Sequence, residues 1–464
     1  MAVVGGGVAG LAAAWQLINR PAAPRVVLLE SARQVGGKLA IGELDGLVVD
    51  LGAESMLARR PEGLDLARAV GLGEHLVAPR PVVARLWSGG GWHPLPPRTL
   101  MGVPSGAQGL RGLLTADGVA RVAAEPATRW PAVDQDVDVA TFVGQRVGSD
   151  VVQRLVEPLL GGVYAGRAGE LSLQATVPAL WAAAAEGRSA VDAAAGVGRV
   201  ASAGPVFAGI RGGVGRLPVA LAAALRAQGV DIQTGSTVRD LRRTPDGWRL
   251  VVGPTTDERV IEAQAVVLAT PAGPTSRLLG ADVPSAATYL AEIEYASVAI
   301  VTVLLPRSAG AALPGSGFLV PPVEGRLVKA ATFSSGKWGW LDAADEDRIA
   351  VRTSVGRHRD EADLQRDDDD LVAASVADLA DLVQAPLPVL ASRVTRWGGA
   401  LPQYAVGHVQ RVAAARAALA GAPGLSVAGA AYDGVGIPAC IASGVRAAVE
   451  ARTHLEQLAV AARG

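Results

Sequence analysis

The segment AVVGGGVAGLAAAWQLI spans residues 2–18, and RVVLLE follows at residues 25–30. A short apolar run leads into a glycine-rich turn and a run of helix formers, and a second apolar run ends on an acid. This order predicts a βαβ unit of the kind that binds dinucleotides. The turn fits the pattern G-x-G-x-x-G with the residues Gly5, Gly6, Gly7, Val8, Ala9 and Gly10.

Each residue type in this unit has a physical reason. Gly5 permits a tight turn, Gly7 lets the backbone approach a diphosphate, and Gly10 lets helix and strand pack closely. The free N–H groups and the positive dipole end of the helix attract phosphate oxygens. Glu30 ends the second strand, where an acid accepts hydrogen bonds from a ribose diol. The segment therefore predicts a dinucleotide cofactor, against the alternative of a glycine-rich turn in an ordinary βαβ unit.

The next residues distinguish between dinucleotides. The run SARQVGGK at residues 31–38 places a glycine pair and a lysine directly after the acidic strand. It resembles the second glycine motif of the FAD-dependent amine oxidase and porphyrinogen oxidase superfamily, which predicts FAD rather than NAD. The run DLGAES at residues 50–55 resembles the stretch of the same superfamily that passes the flavin ring. The cofactor-binding residues predicted here are Ser31, Gly37, Lys38, Gly52, Ala53, Glu54 and Ser55.

The composition excludes several function classes. The 464 residues carry a formal net charge of −1, so no basic field for a nucleic acid is expected. A single cysteine, Cys440, excludes a disulfide framework and a cysteine-based zinc site. The histidines show no ligand spacing, and the acidic run 367–370 is expected to cap the helix that follows it. No metal site is predicted.

The predicted localisation is cytoplasmic. Residues 1–4 lack the charged and apolar regions of a signal peptide, and the chain holds no uncharged apolar run of about 18 residues. The lone cysteine agrees with a reducing compartment. A peripheral membrane contact stays open.

Three longer sequence segments indicate a particular family within this superfamily. They are LVEPLLGGVYAG at residues 155–166, WGGALPQYAVGH at 397–408 and GAAYDGVGIPACIASG at 429–444. All three resemble signatures of the FAD-dependent porphyrinogen oxidases, the family of the protoporphyrinogen and coproporphyrinogen oxidases, and the actinobacterial type within it. Together with the N-terminal motifs they span nearly the whole chain.

The resemblance implies an α/β fold with an FAD-binding Rossmann-like domain, a mixed-sheet substrate domain and an inserted helical domain. The FAD-binding domain is expected in three parts, at residues 1–80, 206–280 and 391–464. The substrate domain is expected to contribute a hairpin at 81–104 and a sheet at 281–390. The helical domain is expected to fill residues 105–205.

Further cofactor contacts follow from the resemblance. Val238 is expected to touch the adenine through its backbone, and Trp397 is expected to pack beside the flavin. The C-terminal string implies a turn and a helix N-terminus at the pyrimidine end of the flavin, with contacts from Gly429, Val435, Gly436 and Ile437. The FAD is expected to be noncovalent, because Cys440 is more simply explained as a packed residue of this helix.

The implied reaction is the oxidation of coproporphyrinogen III to coproporphyrin III in haem biosynthesis, with O₂ as acceptor and H₂O₂ as product. Hydride transfer to flavin N5 carries the chemistry and the product gains aromaticity, so no catalytic side chain is predicted. The propionates of this porphyrinogen substrate require cations. Arg59 and Arg60 are the predicted anchors, with Lys329 as a weaker candidate. The next haem-pathway enzyme is a further expected partner.

Three alternatives stay open. Protoporphyrinogen IX is the nearest alternative substrate, because both porphyrinogen oxidases share every motif quoted above. An amine oxidase or a desaturase shares the FAD motifs, but the strings at 155–166 and 397–408 argue against both. A binding protein that retains FAD for structure would differ by holding a flavin that no substrate reduces.

Overall fold

The N-terminal strand Ala2–Val4 lies in the middle of a five-stranded parallel sheet in the computed structural model, which describes residues 1–20, 23–199, 204–313 and 315–461. Residues 200–203, near the end of the predicted helical domain, lie outside these ranges. From edge to edge the strands of this sheet are Asp231–Gln233, Val27–Leu29, Ala2–Val4, Val266–Leu268 and Leu425–Val427.

Both faces of this sheet are covered, which explains why its strands are continuous apolar runs. Helices Val8–Ile18 and Ile437–Ala461 pack together on one face. A Cβ at Gly444 would overlap the carbonyl oxygen of Ala9, so glycine is required where the two helices approach. The other face packs against three helices and a three-stranded antiparallel sheet, which consists of Val238–Thr244, Gly247–Val252 and Arg259–Ala263.

A second sheet has seven strands. In spatial order they are Ala391–Pro402, Tyr295–Pro306, Arg348–Val355, Ala330–Phe333, Gly317–Leu319, Arg85–Ser88 and Gly91–Pro94. Neighbours are antiparallel except for Gly317–Leu319 and Arg85–Ser88, which run parallel. One face of this sheet packs on helix Asp368–Val383, and the other meets the hairpin at residues 41–50. The second sheet is therefore also buried on both faces.

The helices range from single turns to 25 residues. In chain order the α-helices are Val8–Ile18, Pro61–Ala69, Ala116–Ala124, Val139–Val147, Ser149–Val151, Glu157–Tyr164, Leu173–Thr176, Pro178–Ala185, Ala190–Arg199, Arg216–Ala227, Ala272–Leu279, Pro284–Ala291, Ser334–Lys337, Gly339–Asp342, Asp368–Val383, His408–Leu419 and Ile437–Ala461. The remaining strands are Ile41–Leu44, Leu47–Asp50, Met56–Leu57, Leu76–Val77, Thr99–Leu100, Val103–Pro104 and Phe207–Ile210.

The helices between residues 116 and 199 share an apolar cluster of their own. A π-helical turn, Val152–Val156, leads directly into helix Glu157–Tyr164. That helix ends at Ala165, whose φ of 49° is left-handed. The carbonyl oxygen of Ala165 accepts a hydrogen bond from the His358 N–H at 2.7 Å, and this bond fixes the helix end against the seven-stranded sheet.

The acidic run 367–370 differs in one respect from its predicted role. Asp367 occupies the N-cap position of helix Asp368–Val383, but its side chain makes no capping hydrogen bond. Asp368 pairs with Arg396 on the adjacent strand instead. The carboxylates of the first turn still face the positive end of the helix dipole.

The helices also bear on membrane insertion. Across the described residues, none of them combines the length and the apolar character that a membrane-crossing helix needs.

Candidate functional site

A cavity of about 1050 Å³ lies between the two large sheets. Residues at or just after the carboxyl ends of all five parallel strands line one side, the edge at which open α/β sheets bind ligands. The seven-stranded sheet and the end of helix Glu157–Tyr164 line the other side. Typical ligand pockets measure about 300–1,000 Å³, so this cavity has room for a large cofactor together with a substrate.

The glycine-rich turn is shaped for contacts with the backbone. Gly5 has a left-handed φ of 107°, and its Cβ would lie 2.6 Å from the carbonyl oxygen of Ala269. A Cβ on Gly10 would overlap the carbonyl oxygen of Gly5, so glycine lets helix Val8–Ile18 approach the strand. A Cβ on Gly7 would meet no atom within 4 Å, because this position faces the cavity. The N–H groups of the first helical turn are therefore accessible to a phosphate.

Glu30 follows strand Val27–Leu29 and lines the cavity. Its carboxylate accepts hydrogen bonds from the backbone N–H groups of Gly6 at 2.6 Å and Ala32 at 2.7 Å, and from the Ser31 hydroxyl at 3.2 Å. These bonds hold the carboxylate beside the glycine turn, where an acid can bind a ribose diol. Gly6 thus contributes by positioning Glu30.

Glu54 joins its loop to the seven-stranded sheet. Its carboxylate accepts hydrogen bonds from Lys337 Nζ at 2.5 Å, from Arg352 at 3.0 Å and from the Ser334 hydroxyl at 3.2 Å. Arg352 also donates to the carbonyl oxygen of Gly52 at 2.5 Å. Burial by itself would raise the pKa of Glu54, but the two cations lower this pKa to about 2. The group therefore stays ionised and holds the loop in place.

Two further residues shape the wall beside this loop. Trp397 donates its indole N–H to the carbonyl oxygen of Leu51 at 3.0 Å, and its ring would lie 3.2 Å from a Cβ at Gly52. Lys38 lines the cavity, and burial lowers the pKa of its ammonium from the usual value. Both side chains therefore lie where a bound cofactor would pass the loop.

The C-terminal string forms a turn and the start of helix Ile437–Ala461. Tyr404 holds this turn, because its hydroxyl donates to the carbonyl oxygen of Ala430 at 2.5 Å and accepts from the Gly434 N–H at 2.9 Å. The start of the helix lines the cavity, so its positive dipole end faces inward. Burial raises the pKa of the Cys440 thiol, which also lines the cavity, to about 11.

The structure brings most of the predicted cofactor residues to this cavity. Those that line it are Gly5, Gly7, Val8, Ala9, Glu30, Ser31, Gly37, Lys38, Gly52, Ala53, Glu54, Ser55, Val238, Trp397, Gly429, Val435, Gly436 and Ile437. Gly6 and Gly10 do not line the cavity themselves. Gly6 donates a hydrogen bond to Glu30, and Gly10 lets helix Val8–Ile18 pack closely on the strand. Their individual contacts with a cofactor stay predictions.

The structure does not support the predicted substrate anchors. Arg59 lines a separate cavity of about 310 Å³, and Arg60 pairs with Glu62 in the first turn of helix Pro61–Ala69. Neither arginine lines the large cavity. Arg60 is the N-cap residue of this helix, and its side chain, 40% exposed, pairs locally within the first turn.

The fold also brings to the cavity polar residues from separate segments that the sequence motifs did not predict. They are Ser236, Thr237, Arg239, Thr270, Arg277 and Ser354. The residues near 236–239 follow strand Asp231–Gln233, so the rule about carboxyl ends of parallel strands could have found them. Ser354 comes from the seven-stranded sheet, and no motif in the sequence marks it. Lys329, the weaker candidate for a propionate anchor, lines the cavity beside the same sheet.

The comparisons with known proteins agree with this geometry. The family model described as flavin containing amine oxidoreductase matches residues 8–452. A protein of Mycobacterium tuberculosis (strain ATCC 25618 / H37Rv) named coproporphyrinogen III oxidase is 37% identical over 96% of this chain and 95% of its own. A protein of the same name from Bacillus subtilis (strain 168) is 30% identical over 98% of both chains.

A solved structure matches over nearly the full length. The protein, from Exiguobacterium sp. 255-15, is provisionally described as a protoporphyrinogen oxidase. It superposes with a TM-score of 0.85 at 29% identity and covers 98% of each chain. These matches confirm the predicted fold class and a flavin cofactor, which fits a glycine turn left open at Gly7. The chain therefore belongs to the family of flavin-containing amine oxidoreductases.

Proposed function

We propose that this protein is an FAD-dependent oxidase that converts coproporphyrinogen III to coproporphyrin III. The observation that carries the proposal is the cavity of about 1050 Å³, in which a glycine-lined side meets a mostly apolar side formed by the seven-stranded sheet. The names of the mycobacterial and Bacillus relatives supply the substrate class. The reaction removes six hydrogen atoms from the macrocycle and reduces three O₂ to three H₂O₂.

The residues around the cavity fit FAD. The helix that starts after Gly7 would hold the diphosphate, Glu30 would bind a ribose diol, and the backbone at Val238 would contact the adenine. Trp397 would pack beside the ring system, and the positive dipole end of the helix at Ile437 would favour negative charge on the bound flavin. Bound FAD supplies the hydride acceptor for the reaction.

The state of Cys440 favours noncovalent binding. It is the only cysteine in the sequence, and its thiol lies 3.7 Å from the carbonyl oxygen of Gly434. Burial raises the pKa of this thiol to about 11, so very little thiolate exists at neutral pH. A thiol in this state is a poor nucleophile toward a flavin. Hydrogen bonds and packing therefore hold the FAD.

The protein contributes orientation and exclusion of water. The apolar residues on the sheet side of the cavity are Gly162, Val163, Ala165, Val298, Ile300, Ala400 and Leu401. Such a wall packs against a macrocycle without competing for its pyrrole N–H groups, and it keeps the reacting C–H bond in one place. The aromaticity of the product drives the oxidation, so the chain needs no strong base at this site.

The acceptor, the location and a partner belong to the same proposal. O₂ is the acceptor, the enzyme acts in the cytoplasm, and it passes coproporphyrin to the next haem-pathway enzyme. The resemblance of the sequence motifs supports all three, and the lone cysteine agrees with a reducing compartment.

Parallel assays with coproporphyrinogen III and protoporphyrinogen IX test the proposal. We expect yellow protein that produces porphyrin fluorescence and H₂O₂ together, and faster turnover of coproporphyrinogen III. Faster turnover of protoporphyrinogen IX would support the same oxidation reaction but contradict coproporphyrinogen III as the substrate. If flavin-loaded protein oxidises neither compound, the proposed function is wrong, and amines and polyenes become the next substrates to assay.

A further inference from the structure

Lys329 is a buried cation on the sheet side of the cavity. It directly precedes strand Ala330–Phe333, and only 7% of its surface is exposed. Within the described part of the chain, it is the one charged residue that the seven-stranded sheet contributes to the cavity lining. Its neighbours in that lining are apolar or, like Ser354, uncharged. The positive charge on this side of the cavity is therefore confined to one position.

Among the residues that the structure describes, none provides a counter-ion for the ammonium group of Lys329. It donates one hydrogen bond, to the carbonyl oxygen of Gly356 at 2.5 Å, and an ammonium has three N–H donors. No carboxylate among the described residues lies within 4.0 Å of it. Buried charges in proteins are normally paired, because removing them from water is costly. The missing partner points to an anionic ligand.

A second buried cation strengthens the positive charge at this end. Arg357 donates to the carbonyl oxygen of Val320 at 3.2 Å; burial lowers the pKa of its guanidinium, and the charge of Glu157 raises it. Burial and, after it, the charge of Arg357 lower the pKa of Lys329 to about 7. A carboxylate that enters the cavity would stabilise the ammonium and provide its missing partner.

The sheet sets the distance from Lys329 to the opposite end of the wall. Trp397 pairs with Val298 on the adjacent strand, and one more strand, Arg348–Val355, follows before the one that Lys329 precedes. Three strand spacings of about 4.8 Å give a separation of about 14 Å. This is on the order of the width of a tetrapyrrole. A macrocycle that lies along this wall from the end near Trp397 therefore brings its rim to Lys329.

We propose that Lys329 binds a propionate carboxylate of the tetrapyrrole substrate and so fixes the orientation of the macrocycle. The inference rests on the proposed function, because it requires a substrate with carboxylates on its rim. The ammonium pairs with one carboxylate in a dry part of the cavity and takes no part in hydrogen transfer. Lys329 thereby replaces Arg59 and Arg60 as the substrate anchor.

Steady-state kinetics of flavin-loaded Lys329→Met, Lys329→Arg and Arg226→Met test the inference with coproporphyrinogen III. Arg226 is exposed on helix Arg216–Ala227 and controls for the loss of one positive charge. We expect KM to rise about 10- to 100-fold in Lys329→Met, the typical effect of losing a charge-assisted hydrogen bond. The turnover number kcat should stay within about threefold. Lys329→Arg should recover part of the loss, and Arg226→Met should match the wild type.

Fluorescence titration with coproporphyrin III gives a readout that does not depend on turnover. In Lys329→Met we expect Kd to rise with KM, at unchanged flavin content and with no fall in Tm. A KM and Kd within about twofold of the wild type would overturn the inference and leave the proposed function intact. A fall in kcat alone would also overturn it, because Lys329 would then act in hydrogen transfer. If the wild type neither oxidises nor binds these tetrapyrroles, the proposed function fails, and the inference fails with it.

Discussion

The side of the cavity at the five-stranded sheet is lined mainly by a few short, contiguous motifs, whereas the side at the seven-stranded sheet takes one or two residues from each of several strands. The first side works through its backbone, and its glycines act by having no side chain. The second side works through side chains, and those that the structure describes are uncharged apart from the cation Lys329. Substitutions on the first side should therefore remove the cofactor or the fold, and those on the second should change the affinity for substrate.

The largest expected effect comes from the glycine turn. In Gly10→Ala the new Cβ overlaps the carbonyl oxygen of Gly5, a backbone atom that cannot move aside, so we expect at least about 3 kcal/mol of destabilisation or no folded protein. In Gly7→Ala the fold should survive, because the Cβ meets no protein atom and φ is −69°. Gly7→Ala should still bind FAD at least ~10-fold more weakly, since the Cβ occupies the space of the diphosphate.

Thermal unfolding and flavin titration separate these two effects. A Gly7→Ala protein that folds and binds FAD as tightly as the wild type would mean that the diphosphate does not lie on this turn. A stable Gly10→Ala protein would show that helix and strand can separate without loss of the fold.

The next effect concerns the ion pairs that join the two sides. Glu54→Gln leaves the buried Arg352 and the partly buried Lys337 without their carboxylate, so we expect a loss of about 3 kcal/mol in the free energy of unfolding. Glu62→Gln is the matched control, because its partner Arg60 is 40% exposed and such pairs contribute at most about 1 kcal/mol. Urea unfolding measures both. Equal losses in the two variants would contradict the structural role of Glu54.

The ion pairs of Glu54 also predict that the stability of the protein depends on pH. The pKa of Glu54 falls on folding from 4.5 to about 2, so its contribution to stability is present above pH 4.5 and is lost as the pH falls toward 2. The difference in stability between wild type and Glu54→Gln should therefore shrink over this range. A difference that stays constant from pH 5 to pH 2 would show that the carboxylate charge does not contribute.

A smaller effect is expected at Lys329. Because its pKa is lowered to about 7, the group is cationic below pH 7 and neutral above it. The affinity for coproporphyrin III should fall about tenfold between pH 6 and pH 8.5 in the wild type, and much less in Lys329→Met. The neighbouring charged groups are the same in both proteins, namely Arg357 and, around it, Glu157, Arg167 and Asp360. Equal pH slopes in the two proteins would contradict the binding of a carboxylate by Lys329.

The smallest effect is expected for Arg59→Ala and Arg60→Ala. Neither side chain lines the large cavity, so KM for coproporphyrinogen III should stay within about twofold of the wild type. Steady-state kinetics measure KM for these variants, and Lys329→Met, assayed in parallel, shows how large the rise is when a substrate anchor is lost. A KM rise as large as that of Lys329→Met would restore the arginines as substrate anchors.

The amino-acid sequence determined the fold class and most of the residues on the cofactor side. A glycine turn, an acidic strand end and a second glycine pair specify local backbone geometry, and such geometry depends on residues that are close in the chain. The boundaries of the predicted domains stay a prediction. The position of Arg59 and Arg60 after a flavin motif gave no information on the direction of their side chains, and the structure places both outside the lining of the large cavity.

Only the tertiary structure decided what lines the sheet side of the cavity. Ser354 and Val298 lie on different strands, and Lys329 directly precedes a third. All three line the cavity because the register of the seven-stranded sheet brings distant segments together. The unpaired state of Lys329 is likewise a property of everything that surrounds it. Burial and ion pairing depend on the whole fold. Short motifs could therefore predict the cofactor, whereas only the folded protein favours Lys329 over Arg59 and Arg60 as the substrate anchor.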